Sequence, residues 1–301
     1  LSATETNQFP EWNFNKEEFS KTKWDEEPAA DIRTLYRLRA QQIRQQYDYI
    51  RLEFSGGSDS TTVLYSFINN GIHIDEVVFR YPKTGEKSVS DDPYNYKPEN
   101  TLSEAKFAAY PILNWLATAA PQTKITTHDY SENMLDDSND ESWVLRTKDY
   151  FQPGHAFKHT VDAVDSHKKT LDEGKSVCML WGVDKPKVTI KDSKWYLYFM
   201  DVQANNANPE VGQWTNITNE YFYWTPDFPE IPIKQAHVLN NFIKHCEDRN
   251  LFEPINEERF QPNGFSNRFD MHLKDPYVKT VLYPKWSNDI FCNGKTASFT
   301  Y

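Results

Sequence analysis

Y-D-Y-I-R-L-E-F-S-G-G-S-D-S-T-T, from Tyr47 to Thr62, is the stretch from which the rest of the chain can be read. An apolar run ends at Phe54, turns on the only Gly-Gly pair in the chain, and restarts as a hydroxyl-rich segment with helical spacing. The pattern predicts a strand, a tight loop and a helix N-terminus. Gly56 and Gly57 allow the positive φ of a sharp turn, and without Cβ atoms they let a ligand reach the backbone. The first-turn N–H groups of the helix and its dipole favour a phosphate group there. The hydroxyls of Ser55, Ser58, Ser60 and Thr61 are expected to add donors at the same place.

The G-x-x-x-x-G-K-[ST] phosphate loop and the G-x-G-x-x-G dinucleotide fingerprint are both absent. The segment Ser55, Gly56, Gly57, Ser58, Asp59, Ser60 instead resembles the S-G-G-x-D-S signature of the PP-loop ATP pyrophosphatases, or adenine nucleotide α-hydrolases. The resemblance implies that the loop holds the β,γ-pyrophosphate of ATP while a nucleophile attacks the α-phosphorus. An adenylated intermediate forms and pyrophosphate leaves. Asp59, a carboxylate among phosphates, implies an intervening Mg²⁺ and is the expected metal ligand and a catalytic residue. Position 58 is Ser where many relatives have Lys, so a positive charge must come from elsewhere.

Two further segments extend the resemblance, both towards the sulfonucleotide-reductase (PAPS reductase-like) branch. Ile74 to Tyr81 reads as a second buried strand, followed by P-K-T-G-E at Pro82 to Glu86. That turn is similar to the D-T-G…E-T segment, with Lys83 in place of the Asp, so location carries over and role does not. Val177 to Lys187, V-C-M-L-W-G-V-D-K-P-K, resembles the glycine-plus-basic loop that closes the nucleotide site. Either Lys185 or Lys187 would supply the missing charge as a catalytic residue, or the two form an exposed basic turn. Phe54, Phe79, Arg80 and Gly182, at or beside the strand ends, complete the expected nucleotide-binding set.

Alternation along the chain gives an α/β fold: a doubly wound, mostly parallel sheet with helices on both faces, HUP/Rossmann-like, plus a mixed C-terminal extension. The expected elements are helices at about 30–46, 58–70, 103–119, 153–173 and 233–249, and strands at about 47–54, 74–80, 124–127 and 176–182. Lys194 to Val202 is expected as an edge strand or hairpin, and 83–101 as a long loop over the site. Residues 1–30 are an arm packing Trp12, Phe14, Phe19 and Trp24 on the body. Residues 31–204 form the nucleotide-binding domain, and 205–301 the substrate-specific extension.

Composition narrows the alternatives. The formal charge is −11, from 44 acidic and 33 basic residues, which does not favour a nucleic-acid partner. Arg33, Arg37, Arg39, Arg44 and Arg51 cluster locally, but Ile32, Leu35, Tyr36, Ala40 and Ile43 give their stretch an apolar stripe. The arginines are therefore expected on a solvated face. No apolar run reaches eighteen residues and no secretory pattern is seen, so the expectation is a soluble, cytoplasmic protein without a membrane partner. Cys178, Cys246 and Cys292 include no C-x-x-C pair, which argues against an iron–sulfur cluster or zinc ribbon. Cys292 lacks the neighbours of the reductase motif E-C-G-L-H. His155, His159 and Asp162 share a helix face, with His167 further along, and Asp136 to Glu141 is acidic. Both are expected as solvated surface rather than metal sites.

Three functions stay open at this point. The first is an ATP-dependent, AMP-forming adenylating enzyme with an unidentified acceptor. The second is a reductase-like enzyme using Cys292. The third is an inactive nucleotide-binding interaction protein.

Overall fold

A computed structural model describes residues 15–81, 83, 105–129, 168–183, 185–191, 194–199, 215–249, 260–262, 271–273 and 275–284. Its centre is a five-stranded sheet built from β1 (Tyr49–Phe54), β2 (Glu76–Tyr81), β3 (Lys124–Asp129), β4 (Val177–Trp181) and β7 (Ile217–Tyr221). The order is β3-β2-β1-β4-β7 and every pairing is parallel. β1 is central and buried on both sides, as its continuous run of large residues requires.

Period-2 alternation divides its side chains. Ile50, Leu52 and Phe54 enter the main core with Val77, Phe79, Cys178 and Leu180. Helices α2 (Ile32–Gln46), α3 (Ser58–Ile68) and α4 (Tyr110–Ala119) bury their stripes in that same core. On the other face, Leu171 of α5 (Lys168–Asp172) packs on Val177, with Tyr49 and Ile217 beside it. The sheet is thus flanked by helices, a Rossmann-like α/β arrangement.

α2 begins where Asp31 accepts a bond from the Thr34 N–H at 2.7 Å. Its buried face holds Leu35, Tyr36, Arg39, Ala40 and Ile43. The arginines do not form one solvated face. Arg39, at the i+4 position from Leu35, is fully buried and meets Glu220 of β7 at 2.6 Å. Arg51 is buried in β1 beside Glu53 at 2.9 Å, and Arg44 pairs with Asp75 at 2.6 Å. Each lies where the chain turns a charged residue inward and supplies a carboxylate to meet it.

The expected 103–119 helix is observed as a π turn, Ala105–Ala109, leading into α4. Of the 153–173 helix only α5 lies in the described residues. Trp12, Phe14, the 83–101 loop apart from Lys83, the acidic loop, the histidine group and Cys292 lie outside them. Phe19, on α1 (Lys16–Ser20), is buried and stacks on Trp224 at 3.9 Å.

β7 lies beyond residue 204, so the parallel sheet crosses the expected domain boundary. A second sheet, β6-β5-β9-β8, crosses it too: β5 (Lys187–Lys191) and β6 (Lys194–Tyr198) form a hairpin, and β9 (Met271–Leu273) pairs antiparallel with β5 and with β8 (Phe260–Pro262). α6 (Glu230–Asp248) and α7 (Asp275–Leu282) pack on it through Val188, Leu239, Ile243, Cys246, Val278 and Leu282.

Candidate functional site

The connections β1–β2–β3 run one way across the sheet, and β4–β7 run the other, so strand order reverses between β1 and β4. In parallel sheets ligands bind outside the C-terminal strand ends at such a reversal. The loop at Ser55 to Gly57 leaves β1 there, and the loop at Gly182 leaves β4 beside it.

Gly56 has φ +80°, and a Cβ on it would lie 2.8 Å from Ala109 Cβ. Both the turn and the approach of the π segment therefore require glycine. Gly57 is the N-cap of α3 and provides no side-chain cap, the arrangement that leaves a helix start suited to an anion. The serines close the loop on itself. The Ser55 N–H donates to Ser60 Oγ, the Gly57 N–H donates to Ser55 Oγ, and Ser60 Oγ donates to the Gly57 carbonyl, each at 3.2 Å. Ser58, Ser60 and Thr61 are buried, and Ser55 is exposed. Of the hydroxyls expected as ligand donors, those of Ser55 and Ser60 bond within the loop. Thr61 Oγ1 is buried without a hydrogen-bond partner.

Asp59, in the first turn of α3, keeps 27% of its side chain exposed, enough for a ligand to reach it. Lys185 Nζ lies 3.4 Å from Oδ1 and Lys279 Nζ lies 3.0 Å from Oδ2. The Tyr283 hydroxyl donates to Oδ1, and the Tyr223 hydroxyl donates to the Asp59 carbonyl at 2.8 Å. Burial pushes the Asp59 carboxyl up, but the Lys185 and Lys279 ammoniums and the Tyr283 hydroxyl outweigh it and hold the group at about 2. Burial, reinforced by the Asp59 charge, keeps the Tyr283 phenol protonated and so a donor.

Gly182 explains how Lys185 arrives. A Cβ at 182 would sit 3.0 Å from the Ser60 nitrogen and 3.1 Å from the Asp59 carbonyl carbon, so glycine lets the β4 loop lie against the start of α3 without displacing it. No protein-family model matches this chain, and no curated protein matches it.

Of the two lysines after β4, Lys185 is at Asp59, whereas Lys187 opens β5 opposite Tyr198. Phe54 and Phe79 are core residues, 3% exposed, so their side chains pack inside the sheet's core and not at its ligand-facing edge. Phe79 stacks on Tyr81 at 4.9 Å. Arg80 points to the other face and meets Glu53 Oε2 at 3.1 Å. In the turn after β2, the Lys83 N–H donates to Asp129 Oδ1 at 3.0 Å.

Lys279, Tyr283 and Tyr223 join the site from outside the expected set. The spacing of Lys279 and Tyr283 puts them one turn apart, and Val278 and Leu282 form the adjacent buried stripe. That i, i+4 doublet was the available signal.

A magnesium ion held by the Asp59 carboxylate would have to displace cations from both of its oxygens. Mg²⁺ takes oxygen ligands at about 2.0–2.1 Å in an octahedron, whereas both oxygens of Asp59 already face ammonium groups. Among the described residues no group of three His, Cys, Asp or Glu side chains is placed to hold a metal. Cys178 and Cys246 are buried free thiols, and burial pushes the Cys178 thiol well up, which suits core residues rather than nucleophiles. Among the described residues no helix is long and apolar enough to cross a membrane.

Proposed function

We propose that this chain is a PP-loop-type enzyme that binds ATP at Ser55 to Thr61 and transfers its adenylyl group to an acceptor, releasing pyrophosphate. The observation that carries the reading is the meeting, at the β1–β4 reversal, of a glycine loop, a helix N-terminus and two lysines. The S-G-G-x-D-S resemblance supplies the reaction class, and the HUP-type assignment belongs to this proposal as well. The helix start and Lys185 bind the phosphates, and Lys279 adds the positive charge that Ser58 does not provide. Catalysis on this reading comes from positioning and charge neutralisation at the α-phosphate.

The test is pyrophosphate release from ATP across a panel of candidate acceptors, together with a nucleotide-bound structure. Acceptor-dependent pyrophosphate with phosphates on residues 55–61 supports the reading. A nucleotide seated away from that loop overturns it.

A further inference from the structure

Asp59 is the only carboxylate in the first turn of α3, at the point where the proposed ligand is most negative. An acidic side chain there is explained either by a metal that bridges it to phosphate or by protein cations that it holds. The geometry favours the second. Two ammonium groups from distant parts of the chain, one after β4 and one on α7, converge on its two oxygens at 3.4 and 3.0 Å. Both lysines are largely enclosed, with side chains 8% and 16% exposed, so burial confines them to this mouth. Tyr283, stacked on Tyr223 at 5.7 Å, fixes the carboxylate from the side. One carboxylate and two ammoniums leave a net positive charge facing the helix start, the sign a polyphosphate requires.

We propose that Asp59 is a positioning residue that holds Lys185 and Lys279 as a paired counterion for the phosphate chain, so that a nucleoside triphosphate binds here without a metal on that carboxylate. The proposal rests on the reading of the loop as a nucleotide-phosphate site. On ligand entry the two ammoniums turn from Asp59 to phosphate oxygens without leaving the mouth, and Asp59 limits how far they travel. A divalent ion at Asp59 would have to displace both lysines, and would then stand beside them as a like charge.

Calorimetric titration of ATP into the full chain, once in EDTA and once in Mg²⁺, separates these cases. The expected result is binding of similar affinity in both, within about threefold, since no ligand-bridging metal site is being filled. Lys279→Gln and Lys185→Gln should each weaken binding in EDTA by about tenfold or more, as for loss of a charge-assisted hydrogen bond. Lys279→Arg should restore most of that loss, which a purely structural role for Lys279 would not show. Asp59→Asn should leave the ratio of the two affinities near one. Thermal melts of the variants confirm that each is folded, and Lys279→Arg keeps the test available if Lys279→Gln is not. Binding that requires Mg²⁺ in the wild type and loses that requirement in Asp59→Asn overturns the proposal but leaves the nucleotide site standing. No binding under either condition overturns both.

Discussion

Asp59 lies between two ammoniums, and its acidity gives it a defined stability signature. Its folded value of about 2 lies below the ordinary 3.8, so the stabilisation from its ion pairs is fully present above about pH 4. It disappears as pH falls from about 4 through 2. The difference in stability between the wild type and Asp59→Asn, followed by urea unfolding, should therefore shrink over that window and stay constant from pH 5 to 7. A difference that grows on acidification would mean the carboxylate is not held by cations. Gly56 gives a second test. Ala there meets both a left-handed φ of +80° and the Ala109 backbone at 2.9 Å, whereas Ala at Gly71 meets φ +67° with nothing within 4 Å. Gly71→Ala should cost about 1 kcal/mol of strain, and Gly56→Ala clearly more, because overlap with fixed backbone adds to it. Equal losses would mean that the π segment moves aside.

β1, its loop and α3 could be read directly because everything that forms them is local. A buried run, two glycines and a helical stripe lie within about twenty residues. β2 and β4 were legible for the same reason, and their strand ends fall within two residues of expectation. What could not be read was which distant strand lies beside which. β7, I-T-N-E-Y, is too short and polar to announce a sheet strand, and its place comes from pairing with β4. The burial of Arg39 depends on a distant partner in the same way. A helix wheel places it near the buried stripe, but only the arrival of Glu220 at 2.6 Å makes its burial tolerable. This predicts that Arg39→Leu and Glu220→Gln each cost about 3–5 kcal/mol, because either leaves a buried charge unpaired. The double variant should recover part of the loss in a mutant cycle. If the single changes prove neutral, the pair is not desolvated as described.

Across the whole molecule, the described residues give no break at residue 204. Phe222 and Tyr223 are fully buried in the core that holds Leu52 and Phe54, and β5 pairs with β9 from far along the chain. A chain ending at residue 204 should consequently lack a cooperative thermal transition and bind hydrophobic dyes, whereas a self-standing body of 31–204 would melt sharply. The interval between the loop and its last partner also has a meaning in time. Tyr283 follows Asp59 by 224 residues. At ribosomal speeds of about 5–20 residues per second, the carboxylate waits roughly 11–45 s for that partner to be synthesised. A nascent chain therefore carries the glycine loop with Asp59 only partly paired until Lys279 and Tyr283 have been made. Fragments released before residue 279 by stalled translation would carry the S-G-G-S-D-S sequence without that charge balance, so translation itself withholds the full set of Asp59 partners until that stretch is synthesised.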